Sequence, residues 1–243
     1  MSAGPIADLR SRRGDESAHE TGAQRMFERI APTYDKLNRL MSAGIDRRWR
    51  IRAVAELASA PAGPVVDLCA GTMDLSAMVA SARPGDRVLA VDFSPAMLEA
   101  GRCKAPNAEI VVADASHLPF ADGEIAAVIC GFGMRNLARP QEGAREVRRV
   151  LRKGGVFVTL ELFRPSTLTM RAFHGAYARL VLPRLGGWIS GDRAAYDYLA
   201  RSMAGFFTRR EYERALGDAG FARVRGFDLT FGVAAIVRAE VAS

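Results

Sequence analysis

The stretch at 64–74, Pro-Val-Val-Asp-Leu-Cys-Ala-Gly-Thr-Met-Asp, constrains the fold more than any other part of the chain. Val65 and Val66 read as a short buried strand, Asp67 as an acid at its end, and Gly71 as a tight turn. A helix is expected from near Met73 through Leu75, Met78 and Val79. A strand that feeds a helix through a glycine turn aims backbone N–H groups and the helix N-terminus at whatever lies above the sheet. The next strand, 88–91, runs into a second acid, Asp92. This layout suits a nucleoside, with the turn against its backbone and Asp92 on its ribose hydroxyls. Strand–glycine–helix turns also occur in α/β domains that bind nothing, so the motif does not decide alone.

The turn departs from the dinucleotide fingerprint Gly-x-Gly-x-x-Gly. Aligned on Gly71, the first and third glycine positions hold Cys69 and Asp74. The diphosphate of NAD needs close backbone approach and finds less room here. A nucleoside without phosphates, such as S-adenosylmethionine, makes no such demand.

The rest of the chain supplies the sheet. Ser94 is an N-cap before Pro95, opening a helix to about Arg102. Strands are expected at 109–112, ending at Asp114, and at 125–130. Pro140 opens a helix with Ala144, Val147, Val150 and Leu151 on one face. Lys153-Gly154-Gly155 reads as a turn into a fifth strand at 156–160. Alternation of this kind predicts an α/β fold with a parallel, doubly wound sheet. Thr208 and Glu211 form a capping box, and strands at 223–227 and 233–237 make an antiparallel hairpin. Upstream, Phe27, Ile30, Tyr34, Leu37, Leu40 and Met41 recur at helical spacing, as a packing helix or as a lid touching ligand. The expected organisation is a disordered tail over 1–22 and one domain over 23–243. That domain carries a helical lid at about 26–60 and a helical cap at about 166–205.

Composition excludes several classes. The chain has 243 residues, 49% hydrophobic and 25% charged, with a net charge of +7. No apolar run reaches the roughly 18 residues of a membrane span, and residues 1–21 hold no signal-peptide core. The three cysteines, Cys69, Cys103 and Cys130, have no metal spacing or disulfide framework, so no metal is expected. A cytoplasmic protein follows. Its positive charge suits weak attraction to anionic surfaces, and no aromatics interleave with its arginines as in nucleic-acid binders.

Later motifs sharpen the picture: Leu118-Pro119-Phe120 after Asp114-Ala115, then Phe132-Gly133-Met134-Arg135-Asn136, Val150 through Gly155, and Leu160-Glu161-Leu162. Tyr34-Asp35-x-x-Asn38 stands upstream, and Pro183-x-x-Gly186 and Tyr196-x-Tyr198-Leu199-Ala200-x-Ser202 downstream. Five parallel strands plus a hairpin is the layout of class I methyltransferases. The series resembles the ubiquinone/menaquinone biosynthesis C-methyltransferases, the UbiE/MenG type, from about Met26 to Ala239.

The resemblance implies a seven-stranded Rossmann-like sheet and S-adenosylmethionine as cofactor. It implies C-methylation of a prenylated quinol, of the demethylmenaquinol or methoxy-polyprenyl-benzoquinol type. Thr72 matches the cofactor contact of the first turn, Asp92 the ribose acid, Asp114 and Ala115 the pair beside adenine, and Gly131 the position before Phe-Gly-x-Arg-Asn. Asp67, Gly71 and Phe93 complete the expected cofactor set. Arg135 and Asn136 match the pair facing the quinol, and Tyr34 and Asp35 in the lid orient water or quinol. The implied partner is a lipid-tailed quinol, with transient contact at a membrane surface, no nucleic acid, and a homodimer left open. Two departures stand in the first turn, where the family commonly has Gly-Gly-Thr-Gly-Asp: Ala70 and Met73. Met73 either crowds the cofactor or points into the sheet. The alternative within the class is a C- or O-methyltransferase of a soluble phenolic secondary metabolite; from other classes, a short-chain dehydrogenase is set aside because its Tyr-x-x-x-Lys pair and turn glycines are missing, and a non-catalytic binder would have Met73 closing the cofactor site.

Overall fold

Runs of Val, Ile, Leu and Ala that are buried on both faces build the centre of a parallel sheet. Here β1 (Val65–Leu68) and β2 (Val88–Asp92) are buried at every position, and β4 (Ile125–Gly131) at all but its last. The structure is a computed structural model describing residues 27–29, 31, 34–42, 44–166, 198 and 201–243. The expected tail over 1–22 and most of the expected cap over 166–205 lie outside the described residues.

Among the described residues, helices α1 (Tyr34–Met41) and α2 (Asp46–Ala55) precede the sheet. After β1 come α3 (Asp74–Ala82), β2, α4 (Pro95–Gly101), β3 (Glu109–Val112), β4, α5 (Pro140–Val150) and β5 (Leu151–Glu161). The chain then returns with α6 (Arg209–Asp218), β6 (Arg223–Leu229) and β7 (Ala234–Glu240). The seven strands lie in the order β3-β2-β1-β4-β5-β7-β6, with β7 antiparallel to both neighbours. The order reverses at β1 and β4, which opens a crevice at the C-terminal ends of the parallel strands.

Each sheet face has its own core. Val66, Leu68, Val128, Phe157 and Val237 pack under α5 and α6, against Val147, Tyr212 and Leu216. Val65, Ala127, Ile129, Val158 and Ile236 pack under α2, α3 and α4, against Trp49, Ala53, Val79 and Leu98. The caps read from sequence are in place. Ser94 Oγ accepts from Met97 N at 3.4 Å, and Thr208 and Glu211 exchange both bonds of a capping box.

One local expectation is corrected. Lys153-Gly154-Gly155 is not a turn ahead of β5 but lies inside it, where the register jumps from Ile125–Leu151 to Ala127–Val156. Gly154, at φ 68°, absorbs that irregularity without a Cβ penalty. The helix after the first turn starts at Asp74, and Met73 is its N-cap in the left-handed region, φ 61° and ψ 25°. Its thioether is fully buried with Trp49, Leu75 and Val79, so Met73 takes the inward alternative.

Met73 thus trades backbone strain for burial. Met73→Gly relaxes a left-handed residue, worth about 1–2 kcal/mol. It also empties a core position, at a cost of about 2–5 kcal/mol for a large-to-small change. Urea unfolding should show a net loss of about 1–3 kcal/mol; a stabilised variant would show that the thioether contributes no packing.

Candidate active site

The first turn is held by a carboxylate from the neighbouring strand. Asp92 Oδ2 accepts from Gly71 N at 2.8 Å, and Oδ1 accepts from Ser94 N at 2.9 Å. One side chain therefore fixes both the β1–α3 and the β2–α4 turns. Burial pushes the Asp92 carboxyl up, and the N–H donors of Ser94, Gly71 and Phe93 oppose that shift. Cys69, Gly71 and Met73 all have positive φ, at 55°, 52° and 61°. Behind the turn, a Cβ on Gly101 would meet the Thr72 carbonyl at 2.4 Å, so α4 approaches to backbone contact.

Asp67 is buried beneath the same turn. Its Oδ2 accepts from Ser76 Oγ at 2.6 Å, while Oδ1 has no partner among the described residues. Burial raises its pKa to about 7, against the Ser76 bond and the charge of Arg50. Arg50 is itself buried, 3.5 Å from Asp46, with its guanidinium 5.3 Å from the Phe132 ring centre.

Helix α1, in the segment expected as a lid, is bolted to this turn. Thr72 Oγ1 donates to Asp35 Oδ1 at 2.6 Å, and Lys104 Nζ bridges Asp35 at 2.5 Å and Asp74 at 2.8 Å. Burial works against the Asp35 charge, but the bonds from Lys104 and Thr72 outweigh it and hold the carboxyl below its usual range. Tyr34 lies over Gly71, whose Cβ would come within 3.9 Å of the ring. Phe27 meets Tyr34, Phe93 and Tyr198 edge-on, with centroids 6.1, 6.4 and 6.3 Å away.

Beside the turn opens a cleft of about 210 Å³, lined by Leu68, Cys69, Asp92, Phe93, Asp114, Ala115 and Asn136 among others. Five residues expected from sequence meet there: Asp92, Phe93, Asp114, Ala115 and Asn136. Asp67, Gly71, Thr72 and Gly131 do not line it but support its floor and rim. Gly131 is a packing glycine, since a Cβ would lie 2.6 Å from Leu75 Cδ1. Leu137, Ala138 and Ser116 also line the cleft, and nothing in their residue types marks them in the sequence.

At the far end stand Arg135 and Asn136, in a short 3₁₀ turn (Met134–Asn136) after Phe132, whose φ is 61°. Both side chains donate to the Phe132 carbonyl, Arg135 Nη1 at 2.8 Å and Asn136 Nδ2 at 3.1 Å. Arg135 Nη1 also pairs with Glu161 Oε1 at 2.5 Å. Glu161 is fully buried and accepts from the backbone N–H groups of Arg135 and Leu162 as well. One arm of the expected substrate-facing guanidinium is therefore committed to an internal ion pair. Burial alone would lower the Arg135 pKa; Glu161 reverses that and keeps the cation. Tyr198 OH donates to Asn136 Oδ1 at 3.2 Å, and burial raises the pKa of that phenol.

Sequence reasoning passed over Glu161, Lys104 and Arg50. Glu161 had a signal: an acid inside the apolar run Val156–Leu162 must find a cation when buried. Lys104 and Arg50 had none beyond their charge.

A family model described as the ubiE/COQ5 methyltransferase family matches residues 15–240. The chain belongs to that family. It is a methyltransferase, and its sheet is that of the class I methyltransferases. A relative from Syntrophotalea carbinolica named ubiquinone/menaquinone biosynthesis C-methyltransferase UbiE is 43% identical over 212 residues, covering 86% of this chain and 89% of its own. A demethylmenaquinone methyltransferase from Thermus thermophilus is 43% identical over 215 residues, covering 87% and 97%. Among solved structures, a SAM-dependent methyltransferase from Thermotoga maritima superposes with a TM-score of 0.66 at 17% identity, covering 90% of this chain and 99% of that one. That last likeness concerns the fold alone.

Two measurements follow from the buried charges. Arg135→Ala leaves Glu161 charged and unpaired, at a cost of about 3–5 kcal/mol in unfolding free energy. Adding Glu161→Gln, which removes the charge but keeps only one of the two acceptor oxygens used by the Arg135 and Leu162 N–H groups, should recover part of it. No recovery would show that Arg135 contributes through packing. Asp67 carries a raised pKa, so its contribution to stability is present below about pH 4 and lost as pH rises through about 7. The stability difference between Asp67→Asn and wild type should therefore grow in the variant's favour across that window; a pH-independent difference would contradict the assignment.

Proposed function

We propose that this chain transfers a methyl group from S-adenosylmethionine to a ring carbon of a prenylated quinol of the menaquinone or ubiquinone series. The observation that carries the reading is the 43% identity, over most of both chains, to relatives named for that reaction. The cleft fits the cofactor's chemistry. Asp92 lines it where ribose hydroxyls would sit, and Asp114 presents a half-exposed carboxylate beside Ala115. Bound there, S-adenosylmethionine supplies a methyl on a sulfonium, open to in-line displacement.

The chain's own residues prepare the acceptor. A ring carbon becomes nucleophilic when a neighbouring hydroxyl, with a free pKa of about 10, loses its proton. Arg135 is the cation beside which that oxygen gains charge, and the Glu161 pair orients it. Asn136, tied to Phe132 and Tyr198, offers a polar contact to the second ring oxygen. Tyr34 and Asp35 close the site from the lid, with Asp35 acting through Thr72 and Lys104. Within the segment at 26–60, α1 works as the lid, while α2 packs on the sheet through Trp49, Ala53 and Val54. Placement of this kind supplies about 7–11 kcal/mol of a barrier.

Mass spectrometry of quinones from cells lacking this chain tests the reading. A quinone precursor short of one ring methyl should accumulate and disappear on complementation. A normal quinone profile would leave a soluble phenol as the substrate. Arg135→Lys keeps the charge but loses the planar fork. It should lower kcat by about 10²-fold, the scale of one oxyanion donor, with little change in cofactor affinity. Unchanged kcat would remove Arg135 from the chemistry.

A further inference from the structure

Beside the site lies a surface that the methyl transfer does not use. The turn Thr230-Phe231-Gly232 between β6 and β7 holds three successive residues at positive φ, 45°, 54° and 82°. A left-handed aromatic residue is uncommon and strained. Here the strain holds a Phe231 side chain 82% exposed. The turn is anchored from below, where Trp49 Nε1 donates to Thr230 Oγ1 at 2.9 Å.

Trp49 belongs to α2, and the outer face of α2 carries Arg47, Arg48 and Arg52 around Ile51, itself 50% exposed. The acids near this face are engaged. Asp46 pairs with Arg50, and Glu56 lies between Arg52 at 4.0 Å and Arg225 at 3.2 Å. The face is therefore net positive, with Ile51 among its arginines and the Phe231 turn joined to the same helix through Trp49.

Its position gives it meaning. Register pairs Glu161 with Ala235 and Leu229 with Ala234, which puts the 230–232 turn at the C-terminal edge of the parallel strands. Phe132, Arg135 and Glu161 lie at that same edge. The N-terminal half of α2 reaches it too, since Trp49 meets the Phe132 ring at 6.4 Å.

We propose that Phe231 and Ile51, together with Arg47, Arg48 and Arg52 on the outer face of α2, dock this protein on an anionic lipid bilayer with the active-site edge facing the membrane. An apolar tip that enters the acyl boundary, surrounded by cations at headgroup level, is the chemistry of an interfacial anchor. A second copy of this chain across a two-fold axis would bring arginine against arginine. The proposal deepens the quinol reading and rests on it for its purpose: the substrate's tail lies in the membrane, and this orientation opens the site toward it.

Flotation of the full-length protein with vesicles tests the docking. Wild type should float with phosphatidylglycerol-containing vesicles and not with phosphatidylcholine alone, and high salt should release it as charge is screened. Arg47→Ala with Arg48→Ala should weaken partitioning about 25-fold, from roughly fivefold per arginine. Phe231→Asn, which tolerates the left-handed turn, should weaken it about tenfold, the scale of one buried aromatic side chain. Both variants should methylate a short-tailed soluble quinol as wild type does and lose rate on a long-tailed quinol in vesicles. Vesicle binding unchanged in both variants would overturn the proposal. So would a wild type that stays unbound, dimerises through this face by light scattering, or binds an oligonucleotide through the arginines without need of Phe231. Failure to methylate either quinol while vesicle binding follows the stated pattern would sink the quinol reading and leave the docking intact.

Discussion

The site depends on one buried carboxylate. Asp92 ends β2 and uses both oxygens on backbone donors, Gly71 N from the first turn and Ser94 N from the next. Charged acceptors bind backbone N–H groups about twice as strongly as neutral ones. The bonds tie two strand–helix turns into one rim and keep the crevice beside β1 and β4 open. The sheet supplies the place, since its order reverses there. Asp92 supplies the shape, and it does so before any ligand arrives. A substitution at Asp92 therefore acts on both turns themselves, whatever ligand the crevice takes.

The other walls follow the same economy of buried charge. Glu161 and Arg135 neutralise each other inside the protein, and the surplus acceptors of Glu161 are filled by backbone N–H groups. Such a pair contributes less to stability than its geometry suggests, because desolvation offsets much of the attraction. What it secures is orientation: Arg135, Asn136 and the Phe132 carbonyl form one hydrogen-bonded knot at the end of β4. On the opposite side, Lys104 between Asp35 and Asp74 fastens α1 to the first turn. Helix α1 and the first turn are thus mechanically joined.

Much of this was legible in the sequence where the information is local. The Val65–Val66 strand, the Ser94–Pro95 cap and the Thr208–Glu211 box are each set by a few neighbouring residues. What was not legible depends on distant partners. Met73 reads as helix, yet the core under α2 draws its side chain inward and forces a left-handed backbone. Lys153-Gly154-Gly155 reads as a turn, yet β4 continues to pair on both sides of it. The Thr72–Asp35 bond spans 37 residues and the Arg135–Glu161 pair 26, distances over which residue type alone names no partner.

The central claim is transfer of a methyl group to a quinol ring carbon. Incubating the purified protein with chemically reduced demethylmenaquinol and S-adenosylmethionine bearing a deuterated methyl tests it most directly. The account predicts a menaquinol product whose mass rises by one deuterated methyl in place of a ring hydrogen, with fragmentation locating the label on carbon. A label found on a hydroxyl oxygen, or no labelled product from a folded protein that binds the cofactor, would contradict it.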